Sequence, residues 1–242
     1  MIRVTRLAEP AVLGEKKAEW QAKYDARRAK TPKARPESKQ YAHPSVVETL
    51  AAMSHGKCFY CEGQGKLTVD HYIEVAERGD LAFRWDNLYL ACDGCQTKIP
   101  NTSLPAADCV DPCDPATDPS DHLDFQAEYI TFRTPRGEAT IKKYRLKRDL
   151  LVSERRRMLR EFDAELRRIS ETKGWRDMSS SERQALLRYG QSDSPFSLMF
   201  KALLSDLRIS GPPDLRISGP PISEGRRGEV TDGGPTGRHA GE

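Results

Sequence analysis

Residues 57–104 read KCFYCEGQGKLTVDHYIEVAERGDLAFRWDNLYLACDGCQTKIPNTSL. Two C-x-x-C pairs, Cys58/Cys61 and Cys92/Cys95, stand thirty residues apart in this stretch. Two such knuckles bring together four thiolates, the donor set of a tetrahedral zinc site with bonds of about 2.3 Å. Four thiolates leave the ion no open position, so the spacing predicts a structural Zn2+. The plainer alternative is four buried core cysteines. Cys109 and Cys113 have no partner pair and read as packed side chains.

Between the knuckles, short apolar runs are separated by Gly, Cys and Asp. Val69-Asp70-His71-Tyr72-Ile73 reads as a strand end that presents Asp70 and His71. Arg84-Trp85-Asp86-Asn87-Leu88 reads as a short helix or turn that places Asn87 nearby. Taken singly, His71 fits a structural histidine and Asn87 a helix cap. Their order inside a paired-knuckle frame points to a site.

In CFYC, VDHYI, RWDNLYLAC and CDGCQ the chain resembles the HNH, or ββα-metal, endonuclease family in its zinc-stapled form. The resemblance implies a hairpin and a helix that clamp one divalent cation, Mg2+ or Mn2+, against a scissile phosphate. It implies His71 as the general base, Asp70 as a metal-binding acid and Asn87 as the asparagine that positions the base-bearing loop or the metal. Gln96 stands where the family usually has His or Asn. A carboxamide oxygen suits Mg2+ but is weaker than imidazole for softer metals. Asn101 is a nearby substitute.

Across residues 1–204 the order of segments is similar to the PtuB-type HNH component of Septu anti-phage systems and related retron effectors. That likeness implies a PtuA-like ATPase partner of the ABC/SMC type. The expected function is metal-dependent hydrolysis of nucleic acid, DNA ahead of RNA, as the effector of a defence complex. The alternative, kept open by Gln96, is a non-catalytic zinc-stabilised adaptor that binds nucleic acid or the ATPase.

The flanks supply the rest of the fold. Residues 1–56 read as a helical region. A polar helix over 10–30 carries Trp20 and Tyr24 and ends before Thr31-Pro32 and a Pro-interrupted basic stretch, Lys33 to Lys39. Pro44 opens a second helix, and Gly56 stops it. Residues 105–205 read as an acidic connector, a hairpin of strands 129–133 and 139–144 around TPRGE, and helices over 146–169, 181–189 and 195–204. The eight residues from Asp206 to Pro213 recur unchanged from Asp214 to Pro221. Residues 206–242, rich in Gly, Pro and charge, read as a disordered tail. The expected class is α+β: a zinc-stapled ββα-metal core in a mainly helical domain.

The 242 residues are 37% hydrophobic and 31% charged, with 39 Lys and Arg against 36 Asp and Glu. The net charge of +3 says little as a sum. Its distribution says more. Residues 101–128 carry acids and no Lys or Arg, whereas 142–168 carry eleven Lys and Arg. Arg78, Arg84, Arg155, Arg156 and Arg157 are candidate phosphate contacts, which give affinity without reading sequence. No apolar run is long enough to span a bilayer, and the start, MIRVTRLAEPAVLGEKK, has no apolar core of a secretory signal, so a cytoplasmic chain without membrane contact is expected.

Overall fold

A computed structural model describes residues 1–173 and 177–210. At its centre β1 (Leu67–His71) pairs antiparallel with β2 (Leu88–Cys92), and α4 (Asp93–Gln96) follows directly as a single turn. The register sets Val69 opposite Leu90, Asp70 opposite Tyr89 and His71 opposite Leu88. Alternation along β1 turns Val69 into the core and puts Thr68 and Asp70 on the other face. β2 is buried almost throughout, because α3 (Pro44–Ser54) lays Val46 and Leu50 against it. His43 caps the first turn of α3 through Nδ1, and Pro44 takes the first helical position. The helix stops where His55 and Gly56 both turn left-handed, the stop read from the sequence.

N-terminal to α3 lie α1 (Ala11–Lys30) and the short α2 (Ser38–Tyr41). Ahead of α1 the chain is extended. Val4 N–H donates to Pro112 O at 2.7 Å, and Arg6 stacks 4.5 Å over the Tyr89 ring while donating to the carbonyls of Trp85, Asp86 and Leu88. A ladder of rings, Tyr144 on Tyr60 at 4.0 Å and Tyr72 on Tyr89 at 5.0 Å, fills the space beneath the hairpin. These side chains belong to one hydrophobic cluster that continues into the C-terminal helices.

The second hairpin differs from the sequence reading. Its strands are β3 (Leu123–Gln126) and β4 (Tyr129–Phe132), so the end of the acidic connector supplies a strand. Residues 139–144 are not a strand. Residues 139–143 belong to α5 (Pro135–Lys143), with Tyr144 as its C-cap, and the helix starts because Thr134 Oγ1 accepts from Gly137 N–H and Pro135 occupies the first turn. The capping pattern overrides the β-branched content of ATIKKY. Beyond α5 come α6 (Asp149–Lys173), α7 (Ser180–Arg188) and α8 (Ser197–Asp206). Ser179 and Glu182 form a reciprocal capping box on α7. Phe162 of α6 meets Tyr189 and Phe200 at 5.3 and 5.5 Å, which closes the helical part. The expected tail from 206 begins too early: α8 includes Asp206, and Ile209 is buried. Residues 211–242, the remainder of that expected tail, lie outside the described residues.

Candidate active site and metal centre

The four knuckle cysteines converge. Cys58 and Cys61 lie on the turn before β1, Cys92 ends β2, and Cys95 sits on α4. Their sulfurs all lie within 4.8 Å of one another. The Cys61–Cys92 pair is 3.7 Å apart, where a tetrahedron with bonds of about 2.3 Å needs an edge near 3.8 Å. The donor set therefore fits a zinc-like ion. Gly63 N–H donates to Cys61 Sγ at 3.4 Å. Arg148 brings its guanidinium to the sulfurs of Cys92 and Cys95 at 3.3 and 3.5 Å, a positive charge against an anionic thiolate cluster. It reaches them across Gly94, where a Cβ would stand 2.7 Å from Arg148 Nε. Arg148 lies 53 positions beyond Cys95, and no local pattern in the sequence marks it as a partner of that cluster.

A cleft of about 820 Å³ opens over the end of β1. Asp70, His71 and Gln96 line it. His71 Nε2 lies 3.0 Å from Ala82 O. A carbonyl only accepts, so Nε2 carries the proton and Nδ1 keeps its lone pair. Burial holds the imidazole below its ordinary pKa, against the opposing pull of the Ala82 bond, so it is neutral at neutral pH. The Tyr41 ring meets it edge-on at 4.7 Å.

Asn87 is buried and acts on the loop between the strands. Its Oδ1 accepts from Ile73 N–H at 2.8 Å, and its Nδ2 donates to Ile73 O and Leu81 O at 3.0 and 3.2 Å. It thus ties both ends of the loop and fixes the residue next to Ala82, whose carbonyl orients His71. Both hydrogens of the carboxamide are spent on carbonyls, and its oxygen already holds the Ile73 amide.

Asp70 is engaged through one oxygen. Oδ2 accepts from Tyr60 Oη–H at 2.9 Å and from Lys98 Nζ at 2.6 Å. Lys98, nearly buried, also donates to His71 O. Gln96 Nε2 donates to Thr68 Oγ1 and Ala91 O at 2.6 and 2.9 Å, so Oε1 is the atom it has to offer. Asn101 spends both ends of its amide, on Glu77 and on Ala106 N–H. Among the described residues no second cluster of three or more His, Cys, Asp or Glu ligands accompanies the cysteines. Lys98 and Tyr60 go unnoticed in the sequence because a Lys and a Tyr beside zinc knuckles carry no distinguishing spacing.

The candidate phosphate-binding arginines are placed unfavourably. Arg155 is 1% exposed, donates to Leu146 O and packs against Phe125 and Phe196, so it is not available to a phosphate. The long helix turns it inward, a facing that its Arg-Arg-Arg context hides. Arg78 and Arg84 are held bidentate by Asp80 and Asp86. Arg156 pairs with Glu128, and Arg157 with Glu161.

No protein-family model matches the chain. Septu protein PtuB of Bacillus mycoides (strain KBAB4) is 28% identical over 248 aligned residues, which cover 86% of this chain and 81% of that protein. The chain is PtuB-like. The likeness to PtuB runs well beyond the knuckles, since coverage of this extent takes in flanking helical regions as well as the hairpin. Among the described residues no helix is long and apolar enough to cross a membrane.

Proposed function

We propose that the chain is a metal-dependent HNH-type endonuclease that hydrolyses nucleic-acid phosphodiester bonds, DNA ahead of RNA, within an anti-phage defence complex containing a PtuA-like ATPase. The observation that supports this most is the His71–Ala82 hydrogen bond. It leaves a neutral, oriented imidazole with its Nδ1 lone pair free in a cleft beside a carboxylate. Nδ1 takes the proton of a water as that water attacks phosphorus, a role typically worth about 10²–10⁴-fold in rate. Asn87 keeps the orienting carbonyl in place. Lys98 adds a fixed positive charge on the Asp70 side.

Asp70 Oδ1 and Gln96 Oε1 are the oxygens that would hold Mg2+ or Mn2+. Hard oxygen donors suit these ions, and Mg2+ commonly takes only one or two protein ligands and completes its shell with water and substrate phosphate. Such an ion, when bound, neutralises the phosphate and the leaving oxygen. The cysteine cluster holds Zn2+ as a structural staple.

A second reading, a zinc-stabilised adaptor that binds without cutting, draws on Gln96 and on the sparse ligand set around Asp70. A cleavage gel with the purified full chain, with and without the ATPase and with Mg2+ or Mn2+ added, decides between them. Cutting that disappears in His71→Ala upholds the hydrolase. Full cutting by His71→Ala overturns the assignment of the base, and binding with no cutting under any condition supports the adaptor.

A further inference from the structure

The basic stretch after α1 forms one wall of the His71 cleft. Lys33, Arg35 and Arg28 line this cavity together with His71. The wall is built rather than loose. Arg27 donates to Arg35 O at 2.5 Å and to Glu37 Oε1 at 3.0 Å, and Pro36 is buried. Arg28 crosses to Ala76 O at 2.9 Å, which ties the wall to the loop that follows β1. The backbone is thus fixed while the side chains of Lys33 and Arg35 stay exposed.

Their charges are also unspent. The stretch has one carboxylate, Glu37, and Arg27 and Lys39 hold it. Neither Lys33 nor Arg35 forms an ion pair among the described residues. Arg78, Arg84, Arg156 and Arg157 are by contrast each matched to an acid. A cation already paired must give up its partner before it neutralises a phosphate, whereas an unpaired one releases counterions at once.

We propose that Lys33 and Arg35, with Arg28 behind them, are the phosphate-contacting wall of the cleft, and that a nucleic-acid strand lies between this wall and the end of β1. This rests on the nucleic-acid reading above and names the surface that carries it. The contacts are to the backbone, so they set affinity and position the strand over His71 without selecting bases.

The test is an anisotropy titration of the full chain against fluorescein-labelled DNA, single-stranded and duplex, and the matching RNA, over a range of salt and with no divalent ion added. Lys33→Glu/Arg35→Glu weakens binding by at least about tenfold at low salt and flattens the slope of log K against log salt by about two. The milder Lys33→Gln/Arg35→Gln pair moves both in the same direction. Arg156→Glu/Arg157→Glu leaves both nearly unchanged. Zinc content and circular dichroism confirm that each variant is folded. The proposal is overturned if the Arg156/Arg157 variant carries the loss, if the wall variants bind as wild type, or if the wild-type chain does not bind. Wall-dependent binding by a chain that never cuts sinks the hydrolase and leaves the wall standing. Cutting by the wall variants with unchanged KM sinks the wall and leaves the hydrolase standing.

Discussion

The thiolate cluster and the His71 cleft share the β1–β2 hairpin, yet they are assembled on opposite plans. Every ligand of the first comes from a local pair, and each pair sits on a tight turn at a strand end. Only Arg148 arrives from far away. The second draws His71 and Asp70 from β1, Asn87 from the turn just before β2, Lys98 from beyond α4, Tyr60 from the first knuckle and its basic wall from the segment after α1. The cluster can form wherever its two turns meet. The cleft forms only when five segments have already packed. On the proposed reading the cluster serves folding and the cleft serves function, and mutations in the two should part company.

Cys92→Ala should have the largest effect. Structural zinc binding is worth about 10–16 kcal/mol, which matches or exceeds the whole stability of an ordinary domain. The variant is expected to lose its zinc and its cooperative thermal transition together, read by metal analysis and circular dichroism. A folded, zinc-free variant would show that the sulfurs are core packing only. His71→Ala should separate the two regions most cleanly. Cleavage is expected to drop by about 10²–10⁴-fold while zinc content and melting temperature stay close to wild type. A parallel fall in melting temperature would make His71 a structural residue.

The same contrast explains what the sequence makes legible. Cys58, Cys61, Cys92 and Cys95 can be read because ligands of one ion recur at short spacing. Asp70, His71 and Asn87 can be read because the hairpin carries them in a fixed order. Lys98, Tyr60, Arg148 and the Lys33/Arg35 wall cannot, since their roles come from distant segments meeting and no periodicity encodes that. Arg155 shows the reverse error. In a run of three arginines, composition suggests a polyanion surface, but the apolar side of α6 brings one of the three inward onto Phe125 and Phe196. ATIKKY reads as a strand by propensity, and a threonine cap six residues upstream of its first β-branched position makes it a helix. Local capping and tertiary facing, rather than composition, decide both cases.

Asn87→Ala probes how the cleft is held. Three side-chain hydrogen bonds are lost at a buried position, and the amide and carbonyl of Ile73 lose their partners, while Leu81 O keeps the Arg84 N–H. The expected cost is about 3 kcal/mol in a denaturant titration. Cleavage should fall further than stability explains, because the Ala82 carbonyl that orients His71 is released with the loop. Zinc content should not change. Loss of zinc in this variant would mean that loop and cluster are one cooperative unit, contrary to the division drawn between them.

Lys98→Met asks whether the cleft is held by charge. The ammonium joins the Asp70 carboxylate to the His71 carbonyl from a nearly buried position, so truncating it to an apolar side chain leaves Asp70 with the Tyr60 hydroxyl alone. Asp70 keeps some contact with water and can hydrate, so the cost should be roughly 2 kcal/mol, below that of opening a fully buried pair. Asp70→Asn should cost a similar amount. If the two groups act through each other, the double variant loses less than the sum, with a coupling of about 1–3 kcal/mol. Additive losses would mean that Lys98 and Asp70 serve separate neighbours. In that case the position of the carboxylate beside His71 is set by the β1 backbone and Tyr60, and the ammonium contributes only its field to the phosphate.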